Sequence, residues 1–137
     1  MLMASALCPL RLRPGDDLRA ALEAAGDVSA FVLSGIGSLS RVRLRLAGAD
    51  DETVLDGPVE ILTLSGTLTP DGAHLHMAVA DAQGRVVGGH VGRGNLVRTT
   101  AEVLLLRLPQ WSLRREHDPG TGYRELVVPP PLAGHDH

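Results

Sequence analysis

Residues 41–46 read Arg-Val-Arg-Leu-Arg-Leu, a cation and an aliphatic side chain in strict alternation. Only an extended chain sends every second side chain to the same face, so the segment reads as a half-buried β-strand. Val42, Leu44 and Leu46 form its inward face; Arg41, Arg43 and Arg45 form its outward face. Any fold for this chain must therefore lay an apolar layer against a sheet.

The remaining sequence supplies further strands and one helix. Residues 6–13 alternate loosely and read as a first strand. Pro14-Gly15-Asp16-Asp17 gives a turn and a helix cap. Leu18, Ala21, Leu22 and Ala25 then recur at helical spacing, and Gly26 is the expected stop. VSAFVLS at 28–34 is a β-prone run that Gly35-Ile36-Gly37-Ser38 is expected to interrupt. The small, acidic stretch 47–57 reads as a connection. Residues 58–69 form a long strand, bulged at Gly66. Asp71-Gly72 turns it into a return strand over 74–80, making a hairpin. Gln83-Gly84 turns again into a strand over 85–91, and a loop over 92–95 leads to an apolar strand over 96–108. Residues 112–122 are polar with a turn at Asp118-Pro119-Gly120, and 123–128 form a last short strand. Residues 129–137 read as a flexible tail. The expectation is one domain over 1–128, of α/β (α+β) class, with a mainly antiparallel sheet and one helix.

Composition removes several chemistries. All thirteen basic residues are Arg, so a Schiff-base or P-loop lysine is excluded. Phe31, Trp111 and Tyr123 are the only aromatics, too few for a base-stacking platform. A net charge of −3 means that nucleic-acid binding would need a local basic patch. Cys8 is the single cysteine, which excludes an intrachain disulfide and reads as a reduced structural thiol. The apolar start lacks the basic region and length of a signal peptide, and no run approaches membrane-spanning length. A cytoplasmic location is expected.

His74 and His76 are the sharpest chemical feature. In a strand, positions i and i+2 share a face, roughly 6.5–7 Å apart. His90 follows Gly88-Gly89 on a neighbouring strand, where glycines permit close approach. Three neutral imidazoles leaving one position open is a ligand set for catalytic or ligand-binding zinc; the competing reading is three polar strand residues without an ion. Arg98, Thr100 and Glu102 share a face by period two. Glu102 reads either as a carboxylate orienting a ligand imidazole, as the general base of a metal-dependent hydrolase, or as an ion-pair partner of Arg98. Arg41, Arg43 and Arg45 form a stripe that could contact DNA phosphates, although a solvated strand face explains it as well. Gly35 to Ser38 could form an anion nest, but no helix pattern follows it. Ser34, Ser38 and Ser65 lack the context of a nucleophile. His135-Asp136-His137 sits in the tail, where mobility opposes metal binding.

Six segments in order carry a resemblance. They are PGDDL (14–18), FVLSGIGSLSRVRL (31–44), GPVEILTLSGTLTPDG (57–72), HLHMAVADAQGRVVGGHV (74–91), VRTTAEVLL (97–105) and DPGTGYRELVV (118–128). Together they resemble the PPC domain (plant and prokaryote conserved, also called domain of unknown function 296), in its stand-alone prokaryotic form, from about residue 6 to residue 128. The resemblance implies an antiparallel α/β domain that assembles as a homotrimer. It implies a zinc-binding histidine cluster, matched at His74, His76 and His90, with another divalent transition metal as the alternative. In plants such domains follow AT-hooks; this chain has no Arg-Gly-Arg-Pro core, so that minor-groove reader is absent. The plant partner motif Gly-Arg-Phe-Glu-Ile-Leu stands here as Gly57-Pro58-Val59-Glu60-Ile61-Leu62, with Arg and Phe replaced. The expected function is a homotrimeric zinc- and small-ligand-binding protein, the open position taking a small anionic ligand with Arg98 or Glu102 nearby. A DNA-associated protein using Arg41, Arg43 and Arg45 is the alternative, and a metal-dependent hydrolase a further one.

Overall fold

The computed structural model describes residues 6–25 and 29–131. Among these the chain order is β1 (Leu7–Leu12), α1 (Leu18–Ala25), β2 (Ala30–Arg45), β3 (Thr53–Thr69), β4 (Gly72–Ala80), β5 (Val86–Val91), β6 (Leu96–Arg107), β7 (Arg114–His117) and β8 (Arg124–Val127). Every strand pairing is antiparallel. The main sheet runs β1-β6-β2-β3-β4-β5, and β7 and β8 form a separate hairpin. The end of β5 returns to β2, pairing Val91 with Leu44 and His90 with Arg45. The sheet thus curls until one edge meets its own middle strand.

The alternation at 41–46 holds: Val42 and Leu44 are buried, while Arg41 and Arg45 are exposed. They join a core that includes Leu39, Leu64, Leu68, Leu75, Met77, Val79, Leu105 and the helix residues Leu18 and Leu22. Burying each such side chain contributes about 1.5–3 kcal/mol. The Asp17 carboxylate caps α1 by accepting the Ala20 N–H at 3.0 Å and ties it to the β5–β6 loop by accepting the Gly94 N–H at 2.6 Å. No helix of the described residues is long and apolar enough to cross a membrane.

Four boundaries differ from the sequence reading. Gly35 to Ser38 does not interrupt the strand but runs inside β2, so it forms no nest. The stretch 47–57 is a connection only in its first part, because β3 already begins at Thr53 and pairs it with Leu44. The bulge lies between Ile61 and Thr63 rather than at Gly66, where the β3–β4 register runs straight through. The polar stretch 112–122 contains a strand, β7, which pairs with β8. The helix stop at Gly26 and residues 132–137, with His135-Asp136-His137, lie outside the described residues.

Candidate metal centre

β4 places His74 and His76 on one outward face, with Leu75 between them in the core. The 81–85 turn fixes what comes opposite. Asp81 Oδ1 accepts the Gln83 and Arg85 N–H groups, each at 2.9 Å, and the Asp81 N–H donates to the Arg85 carbonyl at 2.9 Å. From the Ala80–Val86 pair next to that turn, the register carries His76 directly opposite His90. A row Ser65, His76, His90, Arg45 therefore crosses β3, β4, β5 and β2.

The three imidazoles meet. One ligating nitrogen from each of His74, His76 and His90 lies within 4.8 Å of the other two. Ring centroids are 4.9 Å apart for His74–His76, 5.6 Å for His74–His90 and 4.6 Å for His76–His90. His76 Nε2 and His90 Nδ1 stand 3.1 Å apart, sharing one hydrogen bond. Burial holds the His74 pKa below its ordinary value, and Arg115, His76 and His90 depress it further. Burial also lowers that of His90, reinforced by His76 and Arg45. Both rings therefore favour the neutral form, which is the one that ligates metals. Convergent nitrogens without an acidic side chain among them suit zinc or a similar borderline divalent ion.

A surface cavity of about 690 Å³ opens beside His74 and His90. Arg45, Arg115, Arg124, Tyr123 and Glu125 also line it. Arg115 is anchored by its backbone N–H to Asp71 Oδ2 at 2.9 Å, while its Nη2 donates to Thr67 Oγ1 at 2.6 Å and lies 3.2 Å from His74 Nδ1. The β7–β8 hairpin therefore contributes to the site. Sequence reasoning missed Arg115, Arg124 and Glu125; the turn at Asp118-Pro119-Gly120 between two short β-prone runs was the available signal.

Arg98 and Glu102 are not part of this cavity. Both are on β6, where Glu102 pairs with Arg11 of β1 and Ile36 of β2. Glu102 instead lines a separate groove with Pro9, Leu10, Ile36 and Leu104. The arginine stripe is also divided. Arg45 faces the histidine cavity, Arg43 lies 4.0 Å from Glu52, and Arg41 is exposed.

Residues 4–109 match the Plants and Prokaryotes Conserved (PCC) domain. The chain belongs to that family. Among curated proteins this PCC domain is 51% identical, over 124 residues, to the bifunctional protein GlmU of Synechococcus sp. (strain JA-3-3Ab). The match covers 88% of this chain but 20% of that protein, so the chain spans about a fifth of its length. The PCC domain is also similar to a hypothetical protein of Salmonella cholerae-suis, with 38% identity, a TM-score of 0.86 and coverage of 90% and 92% of the two chains. A metal-containing protein of Archaeoglobus fulgidus shares 26% identity at a TM-score of 0.71, covering 88% and 92%. A Ralstonia eutropha JMP134 protein, provisionally described as DNA-binding, shares 25% identity at a TM-score of 0.77, covering 88% and 90%.

Proposed function

We propose that this PCC domain is a metal-binding protein in which His74, His76 and His90 hold a divalent ion, zinc first, and that it works as a cytoplasmic homotrimer. The observation that carries the reading is the convergence of three imidazole nitrogens within 4.8 Å on an outward sheet face. The similarity to a metal-containing protein of Archaeoglobus fulgidus supports it. The ion supplies a Lewis-acidic position for a ligand. The protein supplies the rest: β4 and the 81–85 turn preset the ring positions, and burial keeps His74 and His90 neutral. The hydrolase reading loses its base, because Glu102 lines a different groove.

Trimer formation is supported by apolar side chains on the outward face of neighbouring strands. Leu33 is 47% exposed, Ile36 54% and Leu62 47%. Large apolar groups exposed together favour association. They lie on β2 and β3, and the groove lined by Ile36 and Leu104 extends this face to β6.

Elemental analysis of untagged protein tests the metal. About one zinc per chain is expected after zinc addition at neutral pH, falling below about a tenth in the His74, His76 and His90 triple alanine variant. A wild-type value below about a tenth overturns the reading. Sedimentation at micromolar concentration tests the assembly, and a stable monomer overturns it. For the DNA reading the stripe is divided, with Arg43 beside Glu52 and Arg45 on the histidine cavity, so no retardation of duplex DNA at low salt is expected.

A further inference from the structure

The imidazole cluster has an electrostatic problem that its neighbours can solve. Three neutral rings leave the full charge of a divalent ion in place. Yet a guanidinium nitrogen of Arg115 already lies 3.2 Å from His74 Nδ1. Arg45 is the cross-strand neighbour of His90 on the other side. Like charges this close repel. An ion entering alone would be pressed between two cations.

The acidic groups along the cavity wall do not relieve this. Of the three carboxylates that line it, Asp71 accepts the Arg115 backbone N–H, Glu125 reaches His74 only electrostatically, and Asp50 forms no ion pair with Arg45 or Arg115. The guanidinium donors, by contrast, are under-used. The Arg45 side chain has no hydrogen-bond or ion-pair partner among the described residues, Arg115 engages its Nη2 with Thr67 and His74, and Arg124 spends one nitrogen on the Arg115 carbonyl at 3.0 Å. Guanidinium groups with N–H donors to spare around a cavity of about 690 Å³ are suited to a planar or tetrahedral oxyanion, which they can grip with paired N–H donors.

We propose that the cavity is a paired site, in which a small molecule bearing a carboxylate or phosphate group binds between the metal ion held by His74, His76 and His90 and the guanidinium groups of Arg45 and Arg115. The anion would bind the ion through one oxygen, and the guanidinium donors of Arg45 and Arg115 would hold the others. Arg115 then turns from His74 Nδ1 to the anion, freeing that nitrogen. Because each charge relieves the other, metal and anion bind with positive cooperativity, and the linkage is reciprocal. The proposal rests on the metal-binding reading and adds to it a ligand class and the residues that select it.

The test uses full-length protein loaded with Co²⁺, whose visible absorption reports its ligand field. Acetate is titrated in one arm and inorganic phosphate in the other. A saturable spectral change in either arm is expected, and the responding arm identifies the headgroup. Arg45→Met should weaken that anion's apparent affinity by roughly fivefold or more while leaving the cobalt band of the anion-free protein in place. Arg45 is exposed, so its replacement leaves the core untouched; Arg115→Met, expected to act the same way, is the second variant. A cobalt band that neither anion alters overturns the proposal and leaves the metal reading standing. Equal anion affinity in wild type and both variants overturns it as well. No cobalt band at all would instead overturn the metal reading, and this proposal with it.

Discussion

Glu23 is the joint between the helix and the histidine strand, and replacing it gives a prediction with a definite pH signature. Its carboxylate accepts the Ala73 N–H at 3.0 Å, one residue before His74, and the Arg93 guanidinium at 2.7 Å. Arg19, one helical turn back, lies 3.5 Å away. Burial alone would raise the Glu23 pKa, but the Ala73 N–H and the two arginines outweigh it and leave the pKa below the ordinary value of 4.5. A carboxyl whose pKa is lower folded than unfolded stabilises the fold fully above the unfolded value, and that contribution is lost as pH falls through the folded value. Glu23→Gln keeps the shape and an acceptor but removes the charge. It should cost about 1–2 kcal/mol at pH 7, the difference between charged and neutral hydrogen bonds plus the ion pairs to partly exposed Arg19 and exposed Arg93. Glu23→Ala also orphans the Ala73 N–H and should cost about 2–4 kcal/mol. Urea denaturation at one fixed chain concentration, repeated from pH 7 to pH 3, reads both, since assembly makes stability concentration-dependent. The gap between wild type and Glu23→Gln should be constant above about pH 5.5 and close below pH 4.5. A gap that stays constant down to pH 3 would refute the assigned role of the charge.

Three further substitutions address the framework. Leu22→Ala empties a fully buried position between α1 and the sheet and should cost about 2–5 kcal/mol, measured by the same denaturation. Asn95 is fully buried, accepting the Arg43 N–H at 2.8 Å and donating to the Arg43 and Gly92 carbonyls, each at 2.8 Å; Asn95→Ala should cost about 2–4 kcal/mol because these backbone groups lose their partner. Gly66 has φ of 152°, and an added Cβ would strike the His74 carbonyl oxygen. Gly66→Ala should therefore lower both stability and zinc content, and unchanged zinc content in a folded variant would show that β4 does not depend on that close approach.

The strands were legible wherever inward and outward residues alternate, as at 41–46 and 74–80. Glycine is where the reading failed. Gly35 and Gly37 read as punctuation, but both lie inside β2, Gly37 with a positive φ of 154°. A Cβ on Gly35 would come within 2.8 Å of the Leu64 side chain, and one on Gly37 would strike the Thr100 carbonyl. These glycines serve close packing rather than a turn, and a local pattern cannot separate the two uses. The start of β3 at Thr53 was hidden for a related reason. Asp50, Asp51, Glu52 and Asp56 mark exposed chain, and exposed strand looks like loop until its partner, here Leu44, is known.

Half of the candidate site follows from local arithmetic and half does not. Period two alone puts His74 and His76 on one face. Once Ala80 is paired with Val86 across the 81–85 turn, counting back four and forward four brings His76 against His90. The Asp81 and Gly84 chemistry that sets this turn is present in the sequence, and the contact follows from it. Arg98 and Glu102 depended instead on where β6 joins the sheet. It lies between β1 and β2, where Glu102 pairs with Arg11 and Ile36, segments far away in the chain that no nearby turn brings together. Arg45 and Arg115 reach the imidazoles by equally long-range routes, through the return of β5 to β2 and the docking of β7 on Asp71 and Thr67. The three imidazoles come from one meander and were visible together. The cations that surround them come from distant parts of the chain, and those cations decide which ligand the site can accept.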